Sequence, residues 1–96
     1  MREEVLEELS RHAATLRGFG VRRLGLIGST VRNEARPDSD LDFVVDMADK
    51  SYDAYCDTKE FLEEHFGRGV DLAMVRAIKP WWKPYLMQDI QYVEGL

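Results

Sequence analysis

Asp40 and Asp42 stand two apart in the run DLDFVVD, Asp40 to Asp46. In an extended strand such residues project from one face, so both carboxylates point one way while Leu41 and Phe43 point the other. Two carboxylates side by side repel, and in a partly dry site either one stays protonated or a cation neutralises the pair. A hard divalent ion with oxygen ligands, Mg²⁺ above all, suits that donor set. Asp71 lies between Val70 and Leu72 in a second short apolar run, GVDLAMV, Gly69 to Val75. It joins the pair if that run lies beside the first in register. Three carboxylates can hold two ions, and two ions about 3.5 to 4 Å apart serve in-line phosphoryl or nucleotidyl transfer, one activating the attacking oxygen and the other stabilising the departing pyrophosphate.

A second chemical feature precedes the aspartates. Gly28-Ser29 follows the apolar run VRRLGLI, Val21 to Ile27, where a strand should meet a helix. There backbone amides, the positive helix end and the Ser29 hydroxyl can face a phosphate, and glycine allows close approach. Each feature has an ordinary alternative: Asp40 as a turn or cap residue after Pro37, Ser29 as a helix N-cap. A calcium loop starting at Asp38 does not fit, since that pattern needs glycine where Phe43 stands and glutamate where Asp49 stands.

The elements that must position these residues follow from periodicity. Residues 2 to 17 place Val5, Leu6, Leu9, Ala13 and Leu16 at helical spacing, and Gly18 and Gly20 end that helix. A strand over Val21 to Ile27 leads into Gly28-Ser29, followed by a short helix through about Ala35. Pro37-Asp38-Ser39 is turn chemistry, and Asp40 to Asp46 returns to strand character. Residues 51 to 66 suit a helix capped by Asp49 or Ser51 and ended by Gly67, with Tyr55, Leu62 and Phe66 near one stripe. Gly69 to Val75 is a third strand, and Tyr85 to Val93 a final helix. The alternation describes one α/β unit over residues 1–96.

Composition bounds what such a unit can do. Hydrophobic residues at 45% and charged residues at 32% are those of an ordinary globular domain. A net charge of −5 argues against bulk DNA or RNA binding, which needs a basic surface, although Arg17, Arg22, Arg23, Arg32 and Arg36 leave room for a local basic patch. No apolar run approaches the roughly 18 residues of a membrane span, and Cys56 is the only cysteine, so a reducing, cytoplasmic setting is expected. Cys56 reads as a small core residue rather than a nucleophile. His12 and His65 each lack a second histidine at ligand spacing along the chain, so surface or packing roles are expected. Of Trp81 and Trp82, set between Pro80 and Pro84, one is expected in the core and the other as an anchor for a partner protein. Adenine stacking ranks below that, because no neighbour supplies hydrogen bonds that would select a base.

Ten residues separate Ser29 from Asp40, giving GSx10DxD with a further aspartate in a later apolar strand. The stretch GSTVRNEARPDSDLDFVVD, Gly28 to Asp46, resembles the signature of the nucleotidyltransferase fold superfamily that includes DNA polymerase beta. In length and in its GSxxRxEAxxDSDxD pattern it looks most like the minimal nucleotidyltransferases of prokaryotes, the antitoxin partners of HEPN-domain toxins. Val31 and Asn33 stand where that family often has alanine and glycine. The resemblance implies an α/β (α+β) nucleotidyltransferase fold, a small mixed sheet of about three or more strands flanked by helices. It implies that Gly28 and Ser29 bind the triphosphate of ATP, and that Asp40 and Asp42 hold two Mg²⁺ ions. Asp71 would complete the metal site and help deprotonate the acceptor hydroxyl. Arg32 matches the motif arginine and would contact phosphate or partner, or else cap a carbonyl or pair with Glu34.

The implied activity is transfer of AMP from ATP to a hydroxyl, a tyrosine of a cognate HEPN toxin, in a hetero-oligomer of toxin and antitoxin in the prokaryotic cytoplasm. Larger superfamily members add domains that hold a primer or small acceptor, so here the partner is expected to bring the acceptor. Two alternatives remain open: an antitoxin that neutralises by binding alone, and a nucleotidyltransferase acting on a small molecule such as an aminoglycoside.

Overall fold

The computed structural model describes residues 2–32, 36 and 39–96. Its N-terminal amphipathic stretch forms two helices rather than the single one expected, α1 (Arg2–Arg11) and α2 (Ala13–Gly18). The break lies at His12, whose backbone leaves the helical region (φ −105°, ψ 18°). Its amide bonds the Leu9 carbonyl at 3.0 Å, while its ring Nδ1 takes the Glu8 carbonyl at 2.9 Å. The side chain thus occupies the acceptor that a continuous helix would give to the backbone. Val5, Leu9, Ala13 and Leu16 are buried, so the expected stripe survives the break.

Four strands follow: β1 (Val21–Ile27), β2 (Leu41–Met47), β3 (Val70–Met74) and β4 (Gln91–Tyr92). They form one sheet in the order β3-β2-β1-β4. β1 runs antiparallel to β2 and β4, and β2 runs parallel to β3. The parallel pair needs a long crossover, which α3 (Tyr52–Phe66) provides. Its ends are those expected. Ser51 caps it, its hydroxyl accepting from the Ala54 amide at 3.1 Å, and Gly67 ends it with a left-handed backbone (φ 64°).

The two faces of the sheet differ. Leu24 and Leu26 of β1, Leu41, Phe43, Val45 and Met47 of β2, and Val70 and Leu72 of β3 are buried in one cluster with Val5, Leu9, Leu16 and Leu62 of the helices. The intervening residues, among them Gly25, Ile27, Asp42, Val44, Asp71 and Ala73, occupy the other face by strand alternation. That face is crossed by the C-terminal segment.

The final helix expected over Tyr85 to Val93 is not what forms. A short helix, α4 (Lys83–Leu86), starts with Pro84 in its first turn, and Gln91–Tyr92 pairs with Leu26 and Gly25 as β4. The Val93 amide then bonds the Leu24 carbonyl at 2.8 Å, and its side chain is buried. Gly25 leaves room for Ile90 just before this strand, since a Cβ there would lie 2.4 Å from Ile90 Cδ1. The short helix expected after Ser29 is represented by a 3₁₀ turn, Gly28–Thr30, continuing to Arg32. Asn33, Glu34 and Ala35, and Pro37 and Asp38 of the expected turn, lie outside the described residues.

Candidate active site

Strand pairing assembles the site. Asp42 and Asp71 are register partners across the parallel β2–β3 pair, so their carboxylates leave the same face of neighbouring strands. Ile27, the last residue of β1, is the partner of Asp42 on the other side, which brings the Gly28-Ser29 turn directly beside it. Asp40 precedes β2 by one residue and shares the face of Asp42. The strand boundary is one residue later than DLDFVVD suggests, and the parity is unchanged.

Two glycines make room for the carboxylates. A Cβ on Gly28 would lie 2.5 Å from Asp42 Oδ2, and Gly28 also has a positive φ of 79°, a conformation that L side chains adopt only with strain. A Cβ on Gly69 would lie 2.5 Å from Asp40 Oδ1, and the Gly69 carbonyl accepts from the Leu41 amide at 3.0 Å. The loop before β3 is thereby held against the start of β2. Glycine at 28 was legible as a turn residue; the role of Gly69 was not, because it depends on a carboxylate far away in sequence.

Electrostatics mark Asp42 as the strained member. Burial pushes its carboxyl up to about 6, a hydrogen bond with Asp71 and the charges of Asp71 and Asp40 push in the same direction, and the Arg32 guanidinium offsets part of this. Two carboxyl groups can hydrogen-bond only if one keeps a proton. At neutral pH the cluster therefore favours a cation in place of that proton. Its donors are all carboxylate oxygens, which fits Mg²⁺ and not a soft metal.

Asp42 and Asp71 open into a cleft of about 590 Å³, lined also by Gly28, Arg32, Trp82, Tyr85 and Leu86, while Asp40 and Ser29 are not among its lining residues. This corrects the expectation for the tryptophans. Neither is in the core: Trp81 is 71% exposed and Trp82 53%. The segment turns at Pro80, with the Trp82 amide bonded to the Lys79 carbonyl at 2.9 Å, and α4 then carries Tyr85 to within 5.9 Å of the Trp82 ring. Trp82 and Tyr85 thus form an aromatic wall of the cleft. Tyr85 had no signal in the sequence beyond its type. Cys56 is half-buried rather than core.

The family model of the nucleotidyltransferase domain matches residues 2–92. The chain is 38% identical over 93 residues to protein adenylyltransferase MntA of Thermococcus cleftensis, covering 95% of this chain and 94% of that one. Among solved structures, one of a toxin-antitoxin with AMP-PNP superposes with a TM-score of 0.71 at 20% identity, over 91% of this chain and 73% of the other. Another, of a tri-AMPylated Shewanella oneidensis HEPN toxin in complex with MNT antitoxin, gives a TM-score of 0.67 at 18% identity, over 100% and 74%. At such identities the superpositions speak for the fold, a mixed sheet flanked by helices.

Proposed function

The chain belongs to the nucleotidyltransferase domain family, and from that premise we propose that it is an antitoxin that transfers AMP from ATP to a tyrosine hydroxyl of a HEPN-domain toxin. The observation that carries the reading is the Asp42–Asp71 register pair, with Asp42 held up to about 6 by burial and by its carboxylate neighbours. A minimal scaffold keeps such a cluster at a cost in stability, and the cost is explained if the cluster works.

Asp40, Asp42 and Asp71 would hold Mg²⁺, two ions in the complete site. When bound there, the metal would neutralise the carboxylates, polarise the α-phosphate and stabilise the departing pyrophosphate. Gly28 and Ser29 present backbone and hydroxyl to the triphosphate, and Arg32, on the rim of the same cleft, adds a guanidinium that matches phosphate geometry. Trp82 and Tyr85 offer the base a ring to stack on. The tyrosine oxygen attacks the α-phosphorus, a bond from that oxygen to phosphorus forms, and the bond to the bridging oxygen of pyrophosphate breaks. The hydroxyl proton passes to an Asp71 carboxylate oxygen. The names of the MntA relative and of the HEPN–MNT complex support protein as acceptor over a small molecule.

Incubation of the protein and its HEPN partner with Mg²⁺ and ATP labelled at the α-phosphate tests this. Label should appear on a toxin tyrosine, located by mass spectrometry, and should disappear with Asp40→Ala plus Asp42→Ala. Absence of label with the intact protein overturns the reading. Neutralisation that survives the double variant would make the protein an antitoxin by binding alone.

A further inference from the structure

The helical layer, away from the aspartate cleft, gathers a second set of donors. Glu8 lies on α1, His12 at the break between α1 and α2, and His65 in the last turn of α3. One ligand atom from each lies within 4.8 Å of those of the other two. His65 Nε2 is 3.0 Å from Glu8 Oε1, and His12 Nδ1 is 3.9 Å from the same oxygen. The two imidazole rings meet edge to face with centroids 4.6 Å apart. Nothing in the adenylyl-transfer reading uses these residues.

We propose that Glu8, His12 and His65 bind a transition-metal dication of the zinc class and so fasten α3 to the α1–α2 junction. Two imidazole nitrogens and one carboxylate oxygen are a borderline donor set, suited to Zn²⁺, Co²⁺ or Ni²⁺ and poorly suited to Mg²⁺. Ligand atoms about 2 Å from a common ion are at most about 4 Å apart, so side-chain rotation that draws the three donors together, with the His12 ring presenting Nε2, closes the site.

His12 is already oriented. A carbonyl only accepts, so Nδ1–H donates to the Glu8 carbonyl at 2.9 Å, which leaves the lone pair of the neutral ring on Nε2. A ligating histidine usually has its other nitrogen held in this way. Arg11 approaches the other carboxylate oxygen, its Nη1 3.7 Å from Glu8 Oε2, leaving Oε1 to the histidines. Phe61 and Phe66 stand 5.6 and 5.1 Å from the His65 ring and screen one side. All three donors are partly exposed, which leaves a fourth position open to water.

The test uses protein without a histidine tag and carrying Asp40→Ala plus Asp42→Ala, so that the aspartate cluster cannot contribute. Titration with Co²⁺ should give visible absorption that saturates at one equivalent and is displaced by Zn²⁺ but not by Mg²⁺. At a hundredfold excess of Zn²⁺ over its Kd the melting temperature should rise by roughly 10 °C. His65→Gln and, separately, Glu8→Gln should weaken binding by about a hundredfold. If His65→Gln fails to fold, Glu8→Gln at its half-exposed position carries the comparison. Saturation at other than one equivalent, absence of the band, or affinity unchanged in Glu8→Gln overturns the proposal. None of these outcomes bears on AMP transfer, which is scored on the intact protein with Mg²⁺.

Discussion

On the helical face of β2, Leu41, Phe43, Val45 and Met47 are all buried in the main cluster. On the opposite face the same strand presents Asp42, Val44 and Asp46, and only Val44 is fully buried. The first set removes apolar surface from water and holds the helices to the sheet. The second places a carboxyl that burial and like charge keep near 6, an arrangement that works against folding and that a bound cation would relieve. Alternation along one strand thus separates stability from chemistry, and a substitution at 42 and one at 43 should have opposite consequences.

The largest effects test that separation directly. Phe43 has no exposed surface, and Phe43→Ala should lower unfolding free energy by about 3–5 kcal/mol, measured by urea denaturation, with little change in AMP transfer per folded molecule. Asp42→Ala should do the reverse. Transfer should fall by about a thousandfold or more, as removal of one charge-stabilising group often does, while stability in chelator stays equal or rises. Should Asp42→Ala unfold the protein, or Phe43→Ala abolish transfer in the folded fraction, the two faces would not be separable.

Two glycines sharpen the comparison at about 1–2 kcal/mol. Gly28 and Gly67 both have positive φ, 79° and 64°, so alanine at either costs about 1–2 kcal/mol of backbone strain. At Gly67 an added Cβ meets nothing within 4 Å, whereas at Gly28 it meets Asp42 Oδ2 at 2.5 Å. Gly67→Ala should therefore lose stability alone, and Gly28→Ala should also lose AMP transfer. Equal activity in the two variants would detach Gly28 from the site.

The part of the site carried by local rules was readable from the chain alone. Two-residue alternation put Asp40 and Asp42 on one face, and the apolar run around Asp71 marked a strand that could pair beside them. The caps Ser51 and Gly67 and the stripe from Val5 to Leu16 are equally local and equally visible. What stayed hidden depends on partners distant in sequence. β4 is two residues long, and Gly25 opposite it leaves space for Ile90. His12 breaks a helix because its own ring competes for a carbonyl. Glu8 and His65, 57 positions apart, meet only when α3 packs against α1. Trp81 and Trp82 read as core or anchor and Tyr85 only as the start of a helix, and the place of Trp82 and Tyr85 in the cleft follows from the turn after Pro80.

The pH dependence follows from Asp42. Its carboxyl is raised from 3.8 to about 6, so the fold favours the protonated form. The stability this group contributes is full below about pH 3.8 and is lost as pH rises to about 6. The rise corresponds to at most about 3 kcal/mol, and solvent reaching the half-buried carboxyl reduces that to about 1–2 kcal/mol. In chelator, the stability of the intact protein should therefore fall between pH 4 and 6 relative to Asp42→Asn, which lacks this titration. Mg²⁺ at neutral pH should restore the intact protein and leave the variant largely unaffected. Parallel stability curves would show that the carboxylate cluster imposes no cost.

The smallest expected effect lies at Thr30, at the end of the turn that begins with Gly28. Its side chain is 1% exposed and its hydroxyl has no partner among the described residues. A buried hydroxyl without a partner costs about 1–3 kcal/mol relative to one that is satisfied, and an apolar group of the same shape avoids the cost. Thr30→Val keeps the β-branched outline and should leave stability unchanged or raise it by up to about 1 kcal/mol, read as a shift in urea midpoint. AMP transfer should also be unchanged, because packing of the turn is then all that Thr30 supplies. If valine preserves stability but reduces transfer, the hydroxyl belongs with Asp42 and Gly28, and the working face of the sheet extends one residue deeper into the turn.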